Sequence, residues 1–240
     1  MIDPAMLRLI AITDNLRDGQ SGLVDRACAA ARGGATCIQL RIKDVSARDL
    51  AGLASELVRA VGVPLIVNDR ADIAIAVGAA GVHLGTDDVP VSAVRSFAPP
   101  GFVIGTSVGD DDEIRNADGA DYVGIGPVFA TGSKRDAGKP IGVEEFTRLA
   151  VATGLPAVGI GGVTPANARQ VIDAGGVGVA AIAAIFGATD PLLAAREMVS
   201  AIGKCCRARW AWILHAASRA HVWVSAPFSS RSRRTPEPAG

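Results

Sequence analysis

Residues 121–142 read DYVGIGPVFATGSKRDAGKPIG. The apolar run 122–126 predicts a buried strand, and it passes into a Gly-rich loop with two hydroxyls, Thr131 and Ser133, followed by Lys134 and Arg135. Hydroxyls, exposed backbone N–H groups and a lysine are what a phosphorylated ligand needs. A polar surface loop has the same composition. The choice between them turns on whether other strands of the chain end in the same way.

Working outward, short β-branched runs alternate with helical patterns along the chain. Strands are predicted at 7–13, 37–43, 64–69, 81–85, 102–108, 121–126, 156–161 and 177–182. Between them, apolar residues recur at helical spacing over 23–32, 47–61, 71–77, 91–96, 111–117, 143–152, 165–174 and 192–202. Ser46 and the Thr164-Pro165 pair are start signals, and Gly33-Gly34 and Gly175-Gly176 are stop signals. Alternation of this kind implies parallel pairing through right-handed crossovers. Eight units in this length predict an α/β fold, a (β/α)8 TIM barrel. The alternative, an open doubly wound sheet, would carry a Gly-rich turn after its first strand, where this chain has Ala11-Ile12-Thr13-Asp14-Asn15. The barrel makes a demand: chemistry must sit at the C-terminal ends of the strands.

Composition agrees with such a core. The 240 residues are 49% apolar but 4% aromatic, with 28 Gly, a palette for parallel strands covered by helices. Cys28, Cys37, Cys205 and Cys206 fall in no metal-ligand spacing, and adjacent Cys205 and Cys206 point to a reducing, cytoplasmic setting. The first ten residues lack the basic region of a secretory signal, and no apolar run has membrane-spanning length. The net charge is zero, yet residues 204–240 hold seven Lys or Arg against one acid, Glu237, and all three tryptophans. That shift predicts a boundary: a catalytic barrel over 1–203 and a basic extension over 204–240, partly disordered. With no regular stripe of charge, neither nucleic acid nor a membrane is expected as a partner.

The strand ends meet the demand. Gln39, Arg41 and Lys43, spaced by two, are expected on one strand face, where two cations call for an anion, either a diphosphate or inward acids of neighbouring strands. The third strand ends in Asn68-Asp69 and the fourth runs into Thr86-Asp87-Asp88. Carboxylates from adjacent loops suit Mg²⁺, which takes one or two and fills its shell with water and phosphate oxygens. Asp69 as a helix cap and Asp88 as a turn residue are the structural alternatives. Ser107 ends the fifth strand. The seventh ends in Gly161-Gly162, expected to admit a phosphate at the N-terminus of a helix opening at Pro165. The eighth, GVGVAAIAAIF (176–186), offers main-chain amides alone. His83, mid-strand, is expected to be a satisfied core residue. With no evident general base, such a site would work by positioning and electrostatics.

Six of these motifs, QLRIKD (39–44), NDRADIA (68–74), GVHLGTDD (81–88), IGTSV (104–108), DYVGIGPVFATGSK (121–134) and GIGGVTPAN (159–167), occur in the order seen in thiamine-phosphate synthases, which the chain resembles over about 7–190. The resemblance implies a barrel that joins 4-amino-2-methyl-5-hydroxymethylpyrimidine diphosphate to a thiazole phosphate, or its carboxylated form, giving thiamine phosphate and diphosphate. It further implies that Gln39, Arg41, Lys43, Asn68, Ser107 and Lys134 hold the pyrimidine diphosphate, with Lys134, Arg41, Lys43 and Ser107 catalytic. Asp69 and Asp88 would bind Mg²⁺. Thr131, Gly132, Ser133, Gly162, Ile182 and Ala183 would hold the thiazole phosphate. The chain departs from the family at Ala183, where a serine is usual, and at Gly132. An alanine still donates its N–H.

The resemblance leaves two rivals. A thiazole tautomerase of the same lineage would not need the diphosphate cations, and a non-catalytic binder of phosphorylated thiamine precursors would not need both acids. The substrates expected are small phosphorylated molecules; the sequence does not fix the oligomeric state.

Overall fold

The computed structural model describes residues 2–14, 16, 19–132 and 138–203. Eight parallel strands close into a barrel in chain order: β1 (Leu9–Ile12), β2 (Cys37–Leu40), β3 (Leu65–Asn68), β4 (Gly81–Leu84), β5 (Val103–Val108), β6 (Tyr122–Ile125), β7 (Ala157–Ile160) and β8 (Gly178–Ala181). The outer ring is α1 (Gly19–Gly33), α2 (Ala47–Ala60), α3 (Ala71–Ala76), α4 (Val91–Phe97), α5 (Gly142–Thr153), α6 (Ala168–Asp173), a single turn α7 (Ala183–Phe186) and α8 (Pro191–Ile202). The (β/α)8 expectation holds, and the doubly wound alternative does not. No described helix is long and apolar enough to cross a membrane.

Strand alternation divides the apolar residues between two layers. Ile10, Ile12, Cys37, Ile66, Val103, Tyr122, Val158 and Ala180 point inward and fill the barrel. Their chain neighbours, among them Leu9, Ala11, Ile38, Leu40, Val67, Val82, Ile104, Val123 and Val179, pack outward beneath the helices. Burying each large side chain contributes about 1.5–3 kcal/mol. The interior is therefore a packed plug below and open only at its top.

Helix starts follow local chemistry. Ser46 caps α2, its hydroxyl accepting from Asp49 N at 3.1 Å, and Asp190 caps α8 by accepting from Leu192 N and Leu193 N. Three elements differ from expectation. Pro4–Leu7 forms a 3₁₀ turn capped by Asp3, so β1 starts at Leu9 rather than residue 7. The segment 111–117 is a turn and a short 3₁₀ helix, Ile114–Ala117, instead of a full α-helix. The apolar run 176–186 breaks into β8 and α7, because Ile182 leaves the extended conformation. The predicted extension, 204–240, lies outside the described residues.

Candidate active site

A cavity of about 980 Å³ opens at the C-terminal ends of the strands. It is lined by Gln39, Arg41 and Lys43 from β2 and its loop, Asn68 and Asp69 from β3, Asp88 after β4, and Ser107 from β5. Thr131, Gly132 and Gly162 line it from the β6 and β7 loops, and Ile182 and Ala183 after β8. Every sequence-predicted site residue within the described part is thus brought to one place. Ser133 and Lys134 lie outside the described residues.

The cations do not reach the cavity in the way expected. β2 ends at Leu40, so Arg41 and Lys43 stand in the following loop and not on a strand face with Gln39. Thr13 is the reason: it is fully buried, and its hydroxyl accepts from Arg41 N at 2.9 Å and donates to Arg41 O at 3.1 Å. The loop turns at Asp44, whose φ is 61°.

On the acidic side, Asp69 adopts φ 64°, a conformation that costs a non-glycine residue about 1–3 kcal/mol and tends to mark functional positions. Its backbone N–H donates to His83 O at 2.8 Å, and the Asn68 amide donates to its carboxylate. Asp69 is not the cap of α3: that position is Arg70, which makes no side-chain capping bond. Asp88 accepts from Gly85 N at 2.6 Å, so the turn role foreseen for it is real. Burial pushes the Asp69 carboxyl up to about 6, aided by the hydrogen bond and the charge of Asp88 and opposed by Lys43 and Arg41. Two carboxylates this close call for a proton or a cation between them. Among the described residues no cluster of three or more His, Cys, Asp or Glu is placed to hold a metal. A pair of carboxylates facing a basic, phosphate-sized cavity is the donor set that fits Mg²⁺.

The Gly161-Gly162 pair has a use that composition did not reveal. The helix expected at Pro165 starts at Ala168, so the glycines do not lie at its N-terminus. Instead they seat the β6 loop: Val128 N donates to Ile160 O at 2.8 Å and Phe129 N to Gly161 O at 3.0 Å. Gly162 has φ 65°, and a Cβ there would stand 2.3 Å from Ala130 O; at Gly161, φ 91°, it would meet Pro127 at 2.5 Å. The two loops therefore form one unit. Beside it, α7 is held by Arg26 from α1, which donates to Phe186 O at 3.1 Å and to Asp14 at 2.6 Å and lies 5.5 Å over the Phe186 ring.

Other lining residues went unforeseen. Tyr122 sits in the apolar run read as plain strand, yet its hydroxyl meets His83 Nδ1 at 3.0 Å on the cavity floor. Burial raises the phenol well above its ordinary value, the neighbouring Cys37 adding to this and the Gln39 amide opposing it. His83 is indeed satisfied, as expected, but its other nitrogen lies 3.1 Å from Ser107 Oγ, in the site itself. Its inward parity, shared with Asn68, was the available signal. Lys139, Asp110 and Glu113 complete the rim.

Residues 9–185 match the family model described as thiamine monophosphate synthase. The thiamine-phosphate synthase of Roseiflexus castenholzii is 50% identical over 192 residues, 78% of this chain and 84% of that protein. That of Moorella thermoacetica is 47% identical over 194 residues, 79% of this chain and 92% of its own. Among solved structures, thiamine phosphate pyrophosphorylase from Pyrococcus furiosus superposes with a TM-score of 0.72 at 35% identity, covering 88% of this chain and 98% of that one.

Proposed function

This chain belongs to the thiamine monophosphate synthase family, and from that premise we propose that it is a thiamine-phosphate synthase, a transferase of thiamine biosynthesis. It joins 4-amino-2-methyl-5-hydroxymethylpyrimidine diphosphate to 4-methyl-5-(2-phosphooxyethyl)thiazole or the carboxylated form of that thiazole. The observation that carries this reading is the cavity itself, in which cations, paired acids, hydroxyls and glycine-rich loops converge from separate strand ends.

The bond between the pyrimidine methylene and the diphosphate oxygen breaks first, its electron pair leaving with the diphosphate. Arg41, Lys43 and Lys134 hold the departing charge, with Asn68 and Ser107 donating hydrogen bonds to it. Gln39 contacts the pyrimidine diphosphate from the barrel floor. The thiazole nitrogen lone pair then forms the C–N bond to the pyrimidinylmethyl cation; the carboxylated thiazole also loses CO₂. Thr131, Gly132, Ser133, Gly162 and the amides at Ile182 and Ala183 grip the thiazole phosphate and set its ring in line. Asp69 and Asp88 would hold Mg²⁺, which when bound neutralises diphosphate oxygens. The cysteine usage, with Cys28 and Cys37 free, supports a cytoplasmic setting.

The tautomerase and the non-catalytic binder are not favoured, since the cations and both acids line the same cavity. Mixing the purified chain with both substrates and Mg²⁺ should give thiamine phosphate, and EDTA should stop it. Product formation indifferent to EDTA would remove the metal from this account. Retained thiazole-phosphate binding without product would make the chain a binder.

A further inference from the structure

His83 is held at both ring nitrogens by side chains from two other strands, 3.0 Å from Tyr122 Oη at Nδ1 and 3.1 Å from Ser107 Oγ at Nε2. The register creates the meeting: His83 pairs with Gly105, and Gly105 pairs with Tyr122, so both rings point inward from the strands flanking β5. A Cβ on Gly105 would stand 2.2 Å from the Tyr122 ring, and one on Gly124 would stand 3.1 Å from His83 Cε1. Two glycines therefore make room for the contact.

A neutral imidazole carries one N–H, so the two bonds run in one sense: tyrosine to histidine to serine, or the reverse. Burial decides which. Tyr122 is 1% exposed, and His83 Nδ1 is the acceptor within hydrogen-bond reach of its hydroxyl among the described residues. The reverse sense would bury the phenol proton without a partner.

We propose that Tyr122 donates to His83 Nδ1 and that His83 Nε2–H donates to Ser107 Oγ, which leaves the serine proton directed into the cavity toward an anion. Tyr122 and His83 are then positioning residues that act through Ser107. Run in reverse, the chain would commit the serine proton to His83 and turn a lone pair toward the anion. The effect on rate rests on the proposed contact between Ser107 and the diphosphate; the tautomer does not.

Imidazole ¹⁵N spectra of the full chain at pH 8, with the His83 signal assigned by its loss in His83→Gln, test the tautomer directly. The wild type should show Nε2–H, and Tyr122→Phe, which removes the donor to Nδ1, should shift population to Nδ1–H. Tyr122→Phe should lower kcat about tenfold with KM for both substrates within about twofold, the loss of one charge-directed hydrogen bond. The double variant with Ser107→Ala should be no slower than Ser107→Ala alone. An Nδ1–H tautomer in the wild type, or single effects that multiply, would overturn the proposal. An Nε2–H tautomer with kcat indifferent to Ser107→Ala would support the relay and overturn the diphosphate contact of Ser107.

Discussion

The Asp69 carboxyl shares a hydrogen bond with that of Asp88 across the ends of β3 and β4, and burial together with that neighbour holds Asp69 up to about 6. A carboxyl raised on folding adds stability that is full below its unfolded value near 3.8 and lost as pH rises through about 6. In EDTA, the melting temperature of the wild type relative to Asp69→Asn should therefore fall between pH 4 and pH 7. Adding Mg²⁺ with inorganic diphosphate should raise the wild-type melting temperature more at pH 8 than at pH 5, because the ion takes the ionised form. A difference from Asp69→Asn that stays flat with pH would contradict the paired-carboxyl reading.

Arg41 and Lys43 bring two cations from the loop after β2, the strand beside β3, near enough to oppose the rise of the Asp69 carboxyl. Replacing either with alanine should lower kcat by at least about tenfold, as loss of a charge-assisted contact to a departing oxyanion does. Lys134→Ala, outside the described residues, is expected to do the same. Steady-state assays with both substrates check this; a change confined to KM for the thiazole would assign these side chains elsewhere.

Gly162→Ala tests the seating of the β6 loop. The substitution imposes φ 65° on a residue with a Cβ that would stand 2.3 Å from Ala130 O. Strain of this kind costs about 1–3 kcal/mol. A lower melting temperature and a raised KM for the thiazole phosphate, with a smaller change for the pyrimidine substrate, are the expected readouts. Equal effects on both substrates would deny the loop its separate role.

Much of this was legible in the sequence, for reasons that individual residues make plain. Several strand ends announced themselves by a switch from apolar residues to charge or hydroxyl, as at Asn68-Asp69 and Ser107, and barrel topology then obliges such ends to converge. What escaped were decisions made by tertiary contact. Thr13, just past the neighbouring strand β1, stops β2 early by bonding Arg41. Four-residue α7 is too short to show a helical period within an apolar run. Tyr122 reads as core in sequence, because only the register with Gly105 and His83 reveals that its hydroxyl reaches the site.

Removal of residues 204–240 should leave kcat and the melting temperature of the barrel unchanged, since the family match ends at residue 185 and α8 closes the ring by Ile202. Thermal denaturation and turnover of the shortened chain are the measurements. A drop in either would make the extension part of the folded enzyme.

On the proposed function, one cavity binds both substrates and joins them. The most direct test counts products: incubate the full chain with the pyrimidine diphosphate, the thiazole phosphate and Mg²⁺, and measure thiamine phosphate and free diphosphate in the same sample. Equal amounts of the two, both absent when either substrate is left out, are predicted. Diphosphate without thiamine phosphate, or neither product despite bound thiazole phosphate, would contradict it.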